Sequence, residues 1–199
     1  MPDKSGGQAQ VIVSAAGDPV RRPSRRQSDL AHVARISGTL ASATYSRGSL
    51  AALRRGSPDS LLHEPAFHRL ILPIDDGELT HSGELRWAVA VQGIALLSSP
   101  GQKSELQQAG ALLAGAGYSE QRLARLLASS GSAIHDQVLL ACRFLRGRRV
   151  GGMPMQLFEL ALAEHQPRRL DRLRFECARE YYRVVDRVGS AKDADTTDG

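Results

Sequence analysis

The stretch ELRWAVAVQGIALL, from Glu84 to Leu97, decides how the rest of the chain must fold. Its apolar side chains recur at helical spacing and cover most of the circumference of a helix, with Trp87, Val91 and Ile94 among them. A helix that is apolar on nearly every side is stable only when other elements cover it. The stretch therefore predicts a central, buried helix.

Helical patterns continue on both sides of this stretch. Apolar residues at three- and four-residue spacing predict further helical segments, some of them short and adjoining, at residues 28–40, 49–56, 58–63, 65–72, 104–114, 119–127, 134–146, 155–164 and 167–188. The strand-like segment Val11–Val13 is too short and too isolated to predict a sheet. We therefore predict an all-α fold, a compact multi-helix bundle of roughly eight or nine helices in two packed halves.

Composition divides the chain into three parts. Residues 1–27 are rich in Gly, Ser, Pro and Arg, which predicts a disordered basic extension. Residues 28–188 predict one all-helical domain, with an N-terminal half at 28–76 and a C-terminal half at 77–188. Residues 189–199, with three aspartates, predict a disordered acidic tail.

The net charge of the chain is +5, from 26 Lys and Arg against 21 Asp and Glu. Residues 21–187 are more basic than the whole, because they carry 24 basic and 16 acidic side chains, a net charge of +8. A basic body indicates a polyanionic partner. No apolar run reaches the roughly 18 residues that a bilayer span needs, so we expect a soluble, cytoplasmic protein without a membrane partner.

Catalytic and metal-binding motifs are not recognisable in the sequence. The six histidines are scattered singly, without the spacing of metal ligands. Cys142 and Cys177 lie within apolar helical patterns, which is typical of core residues in a reducing compartment. The Gly115-Ala116-Gly117 segment follows no predicted strand and indicates a helix-ending turn rather than a dinucleotide site. We expect no catalysis, no metal and no cofactor.

A pair of adjacent arginines ends the short predicted helix SLAALRRG, residues 49–56. We expect Ser49 to cap its N-terminus and Gly56 to close it in the left-handed conformation. Arg54 and Arg55 then lie on the last turn. There they either compensate the helix dipole or hold two guanidinium groups toward a phosphate chain.

Paired arginines recur in two later predicted helices. Arg122 and Arg125, and then Arg143 and Arg146, lie three residues apart on faces opposite the apolar residues. Because dipole compensation at one helix end does not explain this recurrence, we interpret the pairs as a surface that follows a nucleic-acid backbone. Aromatic residues make up only 5% of the chain, mostly beside apolar faces, so we expect phosphate contacts rather than base stacking.

Several segments occur in a recognisable order along the chain. They are Leu53-Arg54-Arg55, the segment PAFHRL at 65–70, the segment SEQRLARLL at 119–127, the helix from Leu140 to Arg146, and Tyr181-Tyr182. Their order, over roughly Asp29 to Arg187, resembles CasB, the small-subunit family of the type I-E CRISPR Cascade complex.

The resemblance implies an all-helical protein that is not an enzyme and that serves antiviral defence within an RNA-guided complex. It implies contacts with the crRNA, the target DNA and the displaced strand, with the large subunit and the backbone subunits, and with a second copy of itself. The basic positions of the family fall on Arg54, Arg55, Arg122, Arg125, Arg143 and Arg146, and Arg69 is a further candidate because it matches the Pro-Ala-Phe-x-x-Leu surroundings of the family.

Two other interpretations stay open on the sequence alone. Residues 123–140, broken at 129–131, fit a helix-turn-helix of a helical DNA-binding transcription regulator, whose base-reading residues would be Ile134, His135 and Gln137. The other interpretation is a purely structural protein, with its arginines solvated or packed against a partner protein.

Overall fold

The computed structural model describes residues 25–74, 79–102 and 105–196, and the prediction of an all-α fold is confirmed. These residues form ten helices, rather than eight or nine, and two short strands. Their bounds are α1 (Arg25–Ala41), α2 (Arg47–Arg55), α3 (Pro58–Leu61), α4 (Pro65–Ile71), α5 (His81–Leu97), β1 (Leu106–Gln107), α6 (Ala109–Gly115), α7 (Glu120–Ala128), α8 (Ser132–Gly147), β2 (Met153–Pro154), α9 (Met155–Leu162) and α10 (Pro167–Thr196).

The predicted basic extension lies outside the described residues as far as residue 24, and so does Val11–Val13. Helix α1 begins at Arg25, three residues before the predicted start of the domain. No helix among those described combines the length and the apolar character that a membrane span requires.

Helix α5 lies at the centre of the molecule, as its sequence predicts. Eleven of its 17 residues are buried. It packs against α1, α2 and α3 from the N-terminal part of the chain and against α8 and α9 from the C-terminal part. Because both sets of helices share α5, the two parts of the chain contribute to one continuous hydrophobic core.

The corner between α2 and α3 differs from the prediction in two details. The cap of α2 is Ser46, whose hydroxyl accepts a hydrogen bond from the Ser49 amide at 3.3 Å, so the prediction of Ser49 as the cap is wrong. Gly56 is extended, with φ −64° and ψ 163°, and not left-handed. Glycine fits here because a β-carbon would lie 2.8 Å from Ser60 Oγ. The buried Gln92 side chain donates to the Gly56 carbonyl and fixes this corner to α5.

The chain before α6 is extended, so the prediction of a helix from Ser104 is wrong. β1 pairs in parallel with β2, and the Met153 amide donates to the Glu105 carbonyl at 2.7 Å. The helix begins at Ala109, whose amide donates to the side chain of Gln156, 47 residues further along the chain. These partners are distant in sequence, so local spacing could not reveal them.

Helix α10 packs along one side of the core through the N-terminal part of its predicted apolar series, whereas Val188, at the end of that series, is 53% exposed. Leu170, Leu173, Cys177 and Tyr181 are each at most 5% exposed. Cys177 and Cys142 of α8 are free, buried thiols, which confirms them as core residues, and burial raises the pKa of each to about 12. Lacking a side chain, Gly110 of α6 lets the two helix backbones approach closely.

The C-terminal end of α10 extends beyond the predicted one. The helix continues past Val188 to Thr196. The expected disordered tail at 189–199 therefore begins as helix in the structure, and residues 197–199 lie outside the described part of the chain.

A buried ionic cluster joins α1, α9 and α10. The fully buried Glu159 carboxylate accepts hydrogen bonds from Arg26 Nε at 2.7 Å and from Arg169 Nη2 at 3.5 Å. Arg169 Nη1 also donates to Asp29 at 2.7 Å. The hydrogen bond with Glu159 raises the pKa of Arg26 above its ordinary value. The start of α1 is thus held to the body of the domain by charge-assisted hydrogen bonds.

Candidate nucleic-acid interface

Arg54 is held against the C-terminal end of the central helix. Its Nε donates to the Ala95 carbonyl at 2.8 Å, and its Nη2 donates to the Ser98 carbonyl at 2.5 Å. The Ala95 carbonyl is one of those that the last turn of a helix leaves without a helical partner. Burial, and to a lesser extent the charge of Arg146, lower the pKa of Arg54. Two of its donor groups are therefore committed to the fold.

The C-terminus of α8 places an arginine where glycine is usual. The Arg149 amide donates to the Arg146 carbonyl at 3.0 Å, and the Val150 amide donates to the Leu145 carbonyl at 3.3 Å. This is the Schellman arrangement, in which the residue after the cap is left-handed. Arg149 fills that position with φ 53°, and it is the one non-glycine residue with positive φ in the part of the chain that the structure describes. The conformation costs roughly 1 kcal/mol, and strain of this kind clusters at functional sites.

Arg54, Arg146 and Arg149 line one cavity of about 560 Å³. The cavity lies where the C-terminal ends of α5 and α8 meet, and the loops that follow these two helices complete its wall, with residues 98–100, Gln102, Val150 and Gly151. Of the described residues that line it, none is acidic. The structure thus brings together two of the predicted site residues, Arg54 and Arg146, and adds Arg149 to them.

A second arginine cluster surrounds the ring of Phe144. The Cζ atoms of Arg122 and Arg148 lie 5.5 Å and 5.4 Å from the centroid of this ring. The ring of Tyr118 packs edge-on against it at 5.0 Å between centroids. These cation–π contacts hold two guanidinium groups against Phe144, one from α7 and one from the end of α8. Because Phe144 is half-buried, the cluster lies at the protein surface.

Arg122, Arg125 and Arg143 are exposed on α7 and α8, on the faces that the sequence predicts. Within the described ranges, none of the three has a carboxylate oxygen within 4.0 Å of its guanidinium nitrogens. Their charges are therefore not neutralised by ion pairs within this part of the protein.

Four arginines of α10 have different surroundings. They form ion pairs with N···O distances between 2.9 and 3.7 Å, namely Arg172 with Glu176, Arg174 with Asp171, and both Arg179 and Arg183 with Glu180. This agrees with the interleaved acidic and basic residues of that helix. Ion-paired arginines are less available to a phosphate than unpaired ones.

Arg55 and Arg69 are exposed on α2 and α4. Burial raises the pKa of Tyr45, and the charge of Arg69 opposes that rise. Among the described residues, no recorded contact joins Arg55 or Arg69 to the cavity or to the Phe144 cluster.

The candidate set from the sequence omits Arg47, Arg148, Arg149 and Phe144. Arg47 lines a smaller cavity of about 300 Å³ that shares Arg54 and Pro100 with the larger one. The available signal for Arg149 was its place just after the end of a predicted helix, where glycine is usual. Phe144 could have been found from its position between two arginines of α8 in the sequence.

The helix-turn-helix interpretation does not fit the burial of α8. Ile134 is fully buried and His135 is 9% exposed, because α8 packs against α5 and α9. Burial also lowers the pKa of His135. A recognition helix must present such residues to base edges, and these two are turned into the core.

The family model that matches the chain is CRISPR-associated protein Cse2 (CRISPR_cse2), over residues 49–182. The matched span runs from α2 into α10 and includes both arginine clusters and the whole cavity lining. Comparison with curated proteins and with solved structures gives no match. Since the family model covers more than half of the chain, the protein belongs to the Cse2 family and is a small structural subunit of a type I-E CRISPR Cascade complex.

Proposed function

We propose that this Cascade subunit contacts the crRNA, the target DNA and the displaced strand through arginine–phosphate contacts, and that it stabilises the R-loop without catalysing a reaction. The observation that carries the proposal is the set of unpaired arginines on and just after α7 and α8. Residues 115–150 contain six arginines and only two acidic residues, Glu120 and Asp136. Exposed guanidinium groups without carboxylate partners are free to make bidentate contacts with phosphate oxygens.

The way in which an RNA-guided effector recognises its target supports this role. Base pairing between guide and target reads the sequence, so the protein subunits need only bind the backbone. The protein presents exposed arginines and no base-reading helix at α8, which suits that task. In this proposal the subunit works in the cytoplasm, beside the large subunit, the backbone subunits and a second copy of itself.

The test compares two variants that lose the same charge. R122A/R125A/R143A removes three unpaired arginines, whereas R172A/R179A/R183A removes three ion-paired arginines of α10. In Cascade assembled with each variant, we expect only the first to weaken R-loop formation on a matched target. The slope of log affinity against log salt should fall in magnitude by about 2, from about 0.7 for each lost single-strand contact.

Circular dichroism and the amount of subunit in the purified complex check that both variants fold and assemble. Equal weakening by the two variants would show that net charge alone matters, and it would contradict the proposal. Full R-loop stability with the first variant, once it is incorporated, would contradict it as well.

A further inference from the structure

We infer that the cavity lined by Arg54, Arg146 and Arg149 is a binding site for a single phosphate group of a nucleic-acid strand. Arg146 and Arg149 are the contacting residues, and Arg54 is a positioning residue. The inference rests on the proposed function, because it specifies one point at which the subunit anchors a strand.

The first argument is the uncompensated charge of the cavity. Three arginines line a concave space of about 560 Å³, and none of the described residues around it is acidic. Like charges gathered in a cleft repel one another, and a cleft with charge of one sign concentrates ions of the opposite sign. A bound phosphate would relieve this repulsion by accepting hydrogen bonds from more than one arginine.

The second argument is the backbone strain at Arg149. The Schellman motif that ends α8 requires a left-handed residue, and glycine would adopt it at no steric cost. Arginine occupies the position instead, with φ 53°, and this residue lines the cavity. An unfavourable backbone conformation and an unfavourable concentration of charge thus coincide at one site, and a phosphate ligand accounts for both.

Arg54 has a different role from the other two arginines. The carbonyl groups at the C-terminal end of α5 carry partial negative charge, which would repel an anion. Arg54 donates to two of the carbonyl groups there, those of Ala95 and Ser98, and it is also one of the residues that line the cavity. It therefore covers these carbonyl groups and places a positive charge between them and the ligand.

The test uses Arg149→Gly, which removes the guanidinium group and suits the left-handed backbone, together with Arg146→Ala. The probe is sodium phosphate, compared with sodium chloride at equal ionic strength, and the readout is the melting temperature of the full chain. We expect phosphate to raise the melting temperature of the wild type and to bind R146A/R149G about tenfold more weakly or worse. R172A/R179A, which removes two ion-paired arginines of α10 and leaves the cavity intact, should respond to phosphate as the wild type does.

A second measurement separates strand phosphate from free phosphate. Cascade carrying R149G should form R-loops more weakly than wild-type Cascade, although R149G alone should melt no lower than the wild type in chloride. An equal phosphate response in the wild type and in R146A/R149G would overturn the inference, and so would the absence of any response in the wild type.

Failure of this inference differs from failure of the proposed function. If R122A/R125A/R143A weakens R-loops and R149G does not, the cavity does not anchor a strand, and the inference is overturned while the proposed function stands. If R149G weakens R-loops and R122A/R125A/R143A does not, the cavity anchors a strand, and the wider arginine surface on α7 and α8 has no such role.

Discussion

Arg54 and Arg55 are neighbours in sequence, yet the structure gives them different surroundings. Arg54 donates to two carbonyl groups at the end of α5, whereas Arg55 is exposed at the end of α2. Replacing Arg54 therefore removes two hydrogen bonds of the fold as well as a positive charge. Replacing Arg55 removes an exposed charge alone, so Arg55 is the better residue for testing binding at this corner. From the sequence, both arginines are predicted to have the same role, because helical spacing does not show which of them contacts the end of another helix.

Gly110 allows the closest backbone approach between α6 and α10. A β-carbon there would lie 2.0 Å from the Cys177 carbonyl oxygen and 2.7 Å from the Tyr181 amide nitrogen. Backbone atoms of a packed helix cannot swing aside as a flexible side chain can, so we expect Gly110→Ala to lower the free energy of unfolding by about 3 kcal/mol. Chemical denaturation measures this loss.

Gly115 provides the matched control on the same helix. A β-carbon there meets no atom within 4 Å, and alanine is the better helix former, so Gly115→Ala should be neutral or slightly stabilising. If Gly110→Ala proved as stable as Gly115→Ala, this result would contradict the close packing of the α6 and α10 backbones at Gly110.

At the scale of the elements, a buried carboxylate joins α1 to α9 and α10. Glu159 is fully buried and pairs with Arg26 of α1 and Arg169 of α10. Glu159→Gln keeps the shape of the side chain but leaves two arginines without its charge. Breaking a buried ion pair from one side is costly, and we expect a loss of about 3 kcal/mol in the free energy of unfolding, measured by urea denaturation.

The control for this element is Glu180→Gln, which removes a carboxylate that pairs with exposed arginines of α10. Surface pairs contribute up to about 1 kcal/mol, so its effect should be much smaller. Comparable losses in the two variants would contradict the anchoring role given to Glu159.

At the scale of the whole molecule, the features that the sequence predicts are those that depend on local periodicity and on the order of segments along the chain. The all-α fold, the central position of α5 and the family all follow from these two signals. The cavity does not follow from them, because it forms where the ends of α5 and α8 meet. Arg149, which lines it, also has a left-handed backbone that helical spacing does not predict. The start of α6 was missed for a related reason, since the partner of its first amide is Gln156, 47 residues away.

The parallel pairing of β1 with β2 joins two segments that lie far apart in the chain. The two strands enclose α6, α7 and α8 between them in the chain, and closing so long a loop costs entropy that only packed helices can offset. During synthesis, Arg54 leaves the ribosome well before Arg146 and Arg149, and the three meet only after α8 has docked on α5. The cavity that these three arginines line therefore exists only in a chain in which α8 has docked on α5.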